Sequence, residues 1–235
     1  MQRQFDEKLK ELQQKLVLMG RLSESMIDSA LRMMIERDGV HSVAVFSKEG
    51  EVNELQIEVD DRAVKLTALQ QPVAGDVRLL FMASRIATEL ERIADQAVNI
   101  CENAVDVIKL PPLKPLIDLP IMARIAQQMV RDALDALVKH DCALAEKVLR
   151  DEQKVDAFRD QIFRELLTYM MADPGTIQRA IALILISRNL ERVGDHATNI
   201  AEEVIYLVKG QDVRHHHEVQ TRASGSGITP AAQGF

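Results

Sequence analysis

Apolar residues recur along the chain in steps of three and four. Phe5, Leu9, Leu12, Leu16, Met19, Ser23, Met26, Ala30 and Met33 mark a long amphipathic helix with a bundle-type seam. Asp38-Gly39 ends it. A short apolar segment, Val40 to Phe46, follows, and Lys48-Glu49-Gly50 is expected to break the chain again. A second helix is predicted from about Glu51 to Gln70, with Val52, Leu55, Val59, Ala63 and Leu66 on one face. Gln71-Pro72-Val73-Ala74-Gly75-Asp76 reads as a turn in which Pro ends one helix and Asp76 caps the next. The third helix runs from about Val77 to Lys109. Its seam is Ala83, Ile86, Leu90, Ile93, Ala97, Ile100, Ala104 and Val107.

Pro111, Pro112, Pro115 and Pro120 then divide the chain. Beyond them the plan repeats. A helix from about Pro120 to His140 is followed by a short apolar segment, Ala143 to Leu149, and a helix from Asp151 to Met171. Asp173-Pro174-Gly175 makes a turn. A last long helix reaches Lys209, and Gly210 is a natural stop. The repeat is residue by residue. At an offset of 103, Ala30, Leu31, Asp38, Val45 and Val52 map to Ala133, Leu134, Asp141, Val148 and Val155. At an offset of 100, every seam position of the third helix maps to an apolar residue. The expected fold is all-α: two tandem, pseudo-symmetric three-helix bundles. The expected divisions are 1–110, a Pro-rich linker at 111–120, a second bundle at 121–210 and a disordered tail at 211–235. His215-His216-His217 in that tail reads as solvated.

Composition narrows the partners. Aromatics are 3% with no Trp, so the core must be aliphatic. A net charge of −7 argues against nucleic acid. No apolar run approaches the ~20 residues that span a bilayer, and the charged N-terminal stretch lacks an apolar signal region. Cys101 and Cys142 have no metal or redox spacing and read as reduced thiols. The expectation is a cytoplasmic protein with no direct membrane insertion.

The chemistry concentrates in one stretch that occurs twice. Residues 89–100 read E-L-E-R-I-A-D-Q-A-V-N-I, and residues 189–200 read N-L-E-R-V-G-D-H-A-T-N-I, with seven of twelve positions identical. At about 100° per residue, Glu91, Asp95 and Asn99 fall on a face away from the seam, as do Glu191, Asp195 and Asn199. Glu102 and Glu202 lie at similar angles. The preceding helices carry a weaker partner stripe: Asn53 and Asp60 in one half, Glu152, Asp156 and Asp160 in the other. Carboxylates four residues apart repel, and a hard cation such as Mg²⁺, Mn²⁺ or iron offsets that repulsion. No Glu-x-x-His pair occurs, so a ferritin-like di-iron ligand set is absent. His196 follows Asp195 and reads as a surface histidine. No nucleophile elbow, P-loop, dinucleotide fingerprint or Cys-His arrangement appears.

The chain resembles the PhoU family, phosphate-transport accessory proteins and negative regulators of the bacterial phosphate regulon. The resemblance covers about residues 3–215. It is carried by Leu69-Gln70-Gln71-Pro72-Val73-Ala74-Gly75-Asp76-Val77-Arg78-Leu79, both E-R-x-x-D-x-x-x-N stripes, Leu167-Thr168-Tyr169-Met170-Met171 and Val208-Lys209-Gly210-Gln211-Asp212. It implies two three-helix bundles and a multinuclear metal site (iron, zinc, or Mg/Mn) on each. Glu91 and Asp95, and Glu191 and Asp195, match the family motif, and Asn99 and Asn199 extend it. Asn53, Asp60 and Asp156 match in type on the second helices, whereas Phe163 stands where Asp60 would repeat. The implied partners are the phosphate ABC transporter ATPase, the sensor histidine kinase PhoR and a second copy in a homodimer. The implied role is a non-catalytic adaptor. A metal-storage bundle or metal-dependent enzyme using the acidic stripes is the alternative.

Overall fold

The computed structural model describes residues 2–70 and 74–210, so the expected 211–235 tail and Gln71-Pro72-Val73 lie outside the described residues. The chain order is α1 (Gln2–Glu36), α2 (His41–Gln70), α3 (Ala74–Ile108), α4 (Asp118–Lys139), α5 (Cys142–Ala172), a 3₁₀ turn (Pro174–Thr176) and α6 (Ile177–Lys209). Helices α1–α3 pack on one another, as do α4–α6. All eight seam positions expected on α3 are buried. Asp76, expected as a cap, instead lies in the first turn of α3, where its charge favours the helix dipole.

The two expected breaks at Lys48-Glu49-Gly50 and after Leu149 do not occur. Helix α2 starts at His41 and runs through Gly50; α5 starts at Cys142. The reason is packing. Val45, Val52, Val59 and Leu66 are all buried at a spacing of seven, so the short apolar segment is the first stretch of the same seam. That burial outweighs the ~1 kcal/mol cost of a glycine inside a helix. Gly50 faces outward, with nothing within 4 Å of an added Cβ.

The corners before these helices repeat at the same offset as the sequence. Arg37 has φ 57° and His140 φ 53°. Asp38 N–H donates to Met33 O at 3.2 Å, and Asp141 N–H to Ala136 O at 3.0 Å. Asp38 Oδ1 then accepts from Val40 N–H and Asp141 Oδ1 from Ala143 N–H, both at 2.9 Å. An Asx turn at Asp38 thus leads into α2, and the same contact at Asp141 caps α5.

The Pro-rich connection is pinned rather than loose. Leu113 and Leu116 pack on the core. Lys114 is nearly buried and pairs with Glu165 and Asp118. Arg37 donates to Ile108 O at 2.6 Å, and Arg179 to Pro111 O at 2.9 Å. The connection is shorter than expected, because α4 begins at Asp118 and takes Pro120 into its first turn.

The bundles also share a long junction. Helix α3 packs along α6, and α1 touches α4. Gly20 allows that second approach: a Cβ there would run into Leu134. Among the described helices, α2 packs only on α1 and α3, and α5 only on α4, α6 and the 3₁₀ turn. We expect Gly50→Ala to stabilise the protein by roughly 0.5–1 kcal/mol in urea unfolding, since the helix is continuous and the site open. A loss of stability would place a real break at this position.

Candidate functional site

The acidic stripes lie on α3 and α6, the two helices of the junction. Each is packed on three sides: α3 by α1, α2 and α6, and α6 by α4, α5 and α3. The stripes therefore do not face open solvent. Glu91, Asp95 and Asn99 are half-buried, as are Glu191 and Asp195, whereas Asn199 is exposed. Angles on one helix could not show how many neighbours enclose it.

In the first bundle, hydrogen bonds from Ser84 Oγ to Asp60 and from Gln56 Nε2 to Thr88 Oγ1 (3.5 Å) set an antiparallel register between α2 and α3. Continued along the helices, it brings Asn53 opposite Glu91 and Glu49 opposite Asp95. Burial pushes the Glu91 carboxyl up, and Asp95 and Glu49 push it further. Asn53 Oδ1 is buried with no hydrogen-bond partner. Asp60, expected beside the stripe, is engaged two turns away by Ser84. Glu49 was hidden because the residues around it read as a break.

The second bundle repeats the arrangement with two changes, Asp156 for Asn53 and Arg159 for Gln56. Glu152, Asp156, Glu191 and Asp195 crowd together at the positions equivalent to Glu49, Asn53, Glu91 and Asp95. Burial, then Asp195, Asp156, Glu202 and Glu191, push the Glu152 carboxyl up to about 7. Asp195 is raised by burial and by Glu191 and Asp156. Arg159, where the first bundle has Gln56, pairs with Glu191, with Asp156 at 3.3 Å and with Asp160 at 2.9 Å. Asp160 is thus held outward by Arg159 and takes no part in the cluster.

Two residues play other parts than expected. His196 is not a surface histidine: its Nδ1 lies 2.8 Å from Glu89 Oε2, on the opposite bundle. Asn199 Nδ2 donates to the same oxygen at 2.9 Å, so it spans the junction rather than extending the acidic stripe. Burial alone would raise the Glu89 carboxyl. The contacts from His196 and Asn199 outweigh it and hold Glu89 below the usual carboxylate range. Arg85 reaches buried Glu203 across the same junction at 2.8 Å. These cross-bundle pairs had no signal in the periodicity, because they join residues more than 100 positions apart.

Every donor in the two clusters is an oxygen, which suits hard cations better than zinc. The orphaned Asn53 Oδ1 marks unmet polar capacity at the first cluster, which fits such an ion. At the second, the Arg159 guanidinium already supplies positive charge. Among the described residues, no three His, Cys, Asp or Glu side chains converge to hold an ion.

The fold and the paired clusters define a class: an all-helical, pseudo-symmetric double bundle with an acidic patch beside the junction on each half. A PhoU domain model matches residues 16–104 and 119–204. The chain belongs to the PhoU family. It is 37% identical over 213 residues to the phosphate-specific transport system accessory protein PhoU homolog of Pseudomonas putida, covering 90% of this chain and 83% of that protein. With the PhoU of Escherichia coli K12 it shares 34% identity over 212 residues, covering 90% and 88%. The crystal structure of PhoU from Pseudomonas aeruginosa superposes with a TM-score of 0.84 at 35% identity, covering 88% of this chain and 100% of that one. The phosphate transport system regulatory protein PhoU from Streptococcus pneumoniae, at 24% identity, shares the fold with a TM-score of 0.81 over 89% and 99%. No described helix is long and apolar enough to cross a membrane.

The raised Glu152 carboxyl makes stability depend on pH. Between about 4.5 and about 7 the folded chain keeps a proton on Glu152 that the unfolded chain has lost. This contribution therefore falls as pH rises through that window. We expect Glu152→Gln to stabilise the protein by about 1 kcal/mol at pH 8, after allowing for solvent screening, and to change little at pH 5. Urea unfolding at both pH values checks this; equal effects would mean that Glu152 is not crowded by its neighbours.

Proposed function

We propose that this chain is a negative regulator of phosphate signalling and uptake: a non-catalytic adaptor between the phosphate ABC transporter, through its ATPase, and the phosphate-sensing histidine kinase PhoR. The observation that carries this reading is the match, over nine-tenths of the chain, to proteins named accessory proteins of phosphate-specific transport. The architecture supports it. The α3–α6 junction and the pinned linker tie the two bundles together, and α2 and α5 each leave a long face uncovered by any other described helix. An adaptor needs separate faces held in fixed relation. Cells lacking the chain should lose phosphate repression of a phosphatase reporter, and the purified protein should capture the ATPase and the kinase. Intact repression after deletion would sink the adaptor role.

A second reading concerns the acidic clusters, and the orphaned Asn53 Oδ1 together with the crowded Glu152 favours it. We propose that Glu91, Asp95, Glu49 and Asn53 hold a hard divalent or trivalent cation, with Glu191, Asp195, Glu152 and Asp156 as the weaker counterpart because Arg159 competes there. When bound, the ion offsets carboxylate repulsion and stiffens the packing of α2 on α3 and of α5 on α6. Metal storage or metal-dependent catalysis is the alternative use of the same residues. Glu91→Ala with Asp95→Ala should remove about half or more of the metal found in protein purified without chelators, and should abolish a Mn²⁺-induced rise in melting temperature at the first cluster. Unchanged metal content and an unchanged shift would remove the assignment.

A further inference from the structure

The outward face of α2 carries an apolar row that α5 matches only at its C-terminal end. Val43, Gly50, Ile57 and Val64 stand seven residues apart, with Phe46 and Ala68 on the same side. At about 100° per residue this row points directly away from the Val45–Val52–Val59–Leu66 seam. Val43, Ile57 and Val64 are 68%, 68% and 67% exposed. The row runs into a groove of about 590 Å³ between α2 and α3, lined by Ala63, Val64, Ala68, Val77, Leu80 and Phe81. At the offset of 103, Val43, Gly50 and Ile57 become Glu146, Gln153 and Asp160, whereas Val64 becomes exposed Leu167. The bundle fold therefore does not require an unbroken apolar row here, because the matching helix folds with three of the four positions polar.

Charge selects the occupant. From Glu49 to Asp61, α2 carries six acidic residues and no basic one. Glu51, Glu54, Glu58 and Asp61 lie on one side of the row or along its edge, and Glu49 and Asp60 on the other. Glu58 and Asp61 are paired with Lys15, Arg62 and Lys65. Exposed Glu51 and Glu54 have no ion pair among the described residues. An apolar row walled by acids repels a second copy of itself and repels an anionic lipid surface. It complements a helix with apolar residues at heptad spacing and Lys or Arg on either side. Gly50, with open space above it, lets such a helix approach closely at the middle of the row.

We propose that the Val43–Gly50–Ile57–Val64 row and the groove ending at Phe81 form a docking seam for a basic amphipathic helix of a protein partner. The seam rests on the adaptor reading for its setting, yet the two fail separately: repression after deletion tests the adaptor, and direct peptide binding tests the seam. The probe is a synthetic fluorescent helical peptide with leucines at heptad spacing flanked by lysines, titrated with the full chain at low salt. Controls are the same peptide with every Lys replaced by Glu, and Leu167→Glu on α5. Wild type and Leu167→Glu should bind the basic peptide saturably. Ile57→Glu with Val64→Glu should bind roughly tenfold or more weakly, and Ile57→Ala with Val64→Ala should weaken binding without adding charge. Both positions face solvent, and circular dichroism checks that the variants keep the fold. Equal binding by wild type and the Glu double variant overturns the seam. So does binding that ignores the Lys-to-Glu change in the peptide, or no binding by wild type. A dimer in sedimentation that Ile57→Glu dissociates assigns the face to a second copy. Ile57-dependent binding to phosphatidylglycerol vesicles assigns it to a membrane. Either result also overturns the proposal.

Discussion

The packing of α3 along α6 is the contact on which the rest of the molecule depends. Each of these helices serves two cores at once: it closes its own bundle and forms half of the junction. Their seam residues are accordingly fully buried, and their polar residues are drawn into gaps between helices instead of open water. Glu89 shows the consequence. A carboxylate so enclosed is costly unless hydrogen-bonded, and His196 and Asn199 from the other bundle supply the partners. Arg85 and Glu203 repeat the device further along. The junction is thus apolar in its middle and latched by charge-assisted contacts, which fix the register of the two halves.

That enclosure also explains the electrostatics of the acidic clusters. A carboxylate pair four residues apart on a free helix loses little, because water screens it. Half-buried against α2 or α5, the same pair meets further carboxylates from the facing helix, and the cost grows. The two halves answer it differently. The second bundle places Arg159 among its acids and still leaves Glu152 raised to about 7. The first has Gln56 and Asn53 at the matching positions, so it carries fewer charges but leaves a buried amide oxygen without a partner. Two copies of one helical plan have therefore become electrostatically distinct.

The same divergence appears on the outside. Core positions tolerate little change in a packed helix, so α2 and α5 keep the same buried spacing. Outward positions are unconstrained by packing, and there Val43 and Ile57 of α2 stand where α5 has Glu146 and Asp160. A difference confined to the face that the fold leaves open is a difference in what each bundle meets.

Periodicity alone determined that the chain is helical, that it divides into two matching halves, where most helices end, and which residues form each seam. It also located Glu91, Asp95, Glu191 and Asp195, because polar residues repeated at an offset of 100 stand out against the seam. Local signals misled where packing overrode them: Gly50 read as a break, although the buried row at Val45, Val52, Val59 and Leu66 carries the helix through it. Only the tertiary structure decided what faces what. It brought Glu49 and Glu152 into the clusters, set Asp60 and Asp160 aside, and turned His196 and Asn199 from stripe and surface residues into the latch between bundles. The physical reason is that a helix's own period reports which residues share a face, whereas the neighbours of that face come from segments a hundred residues away.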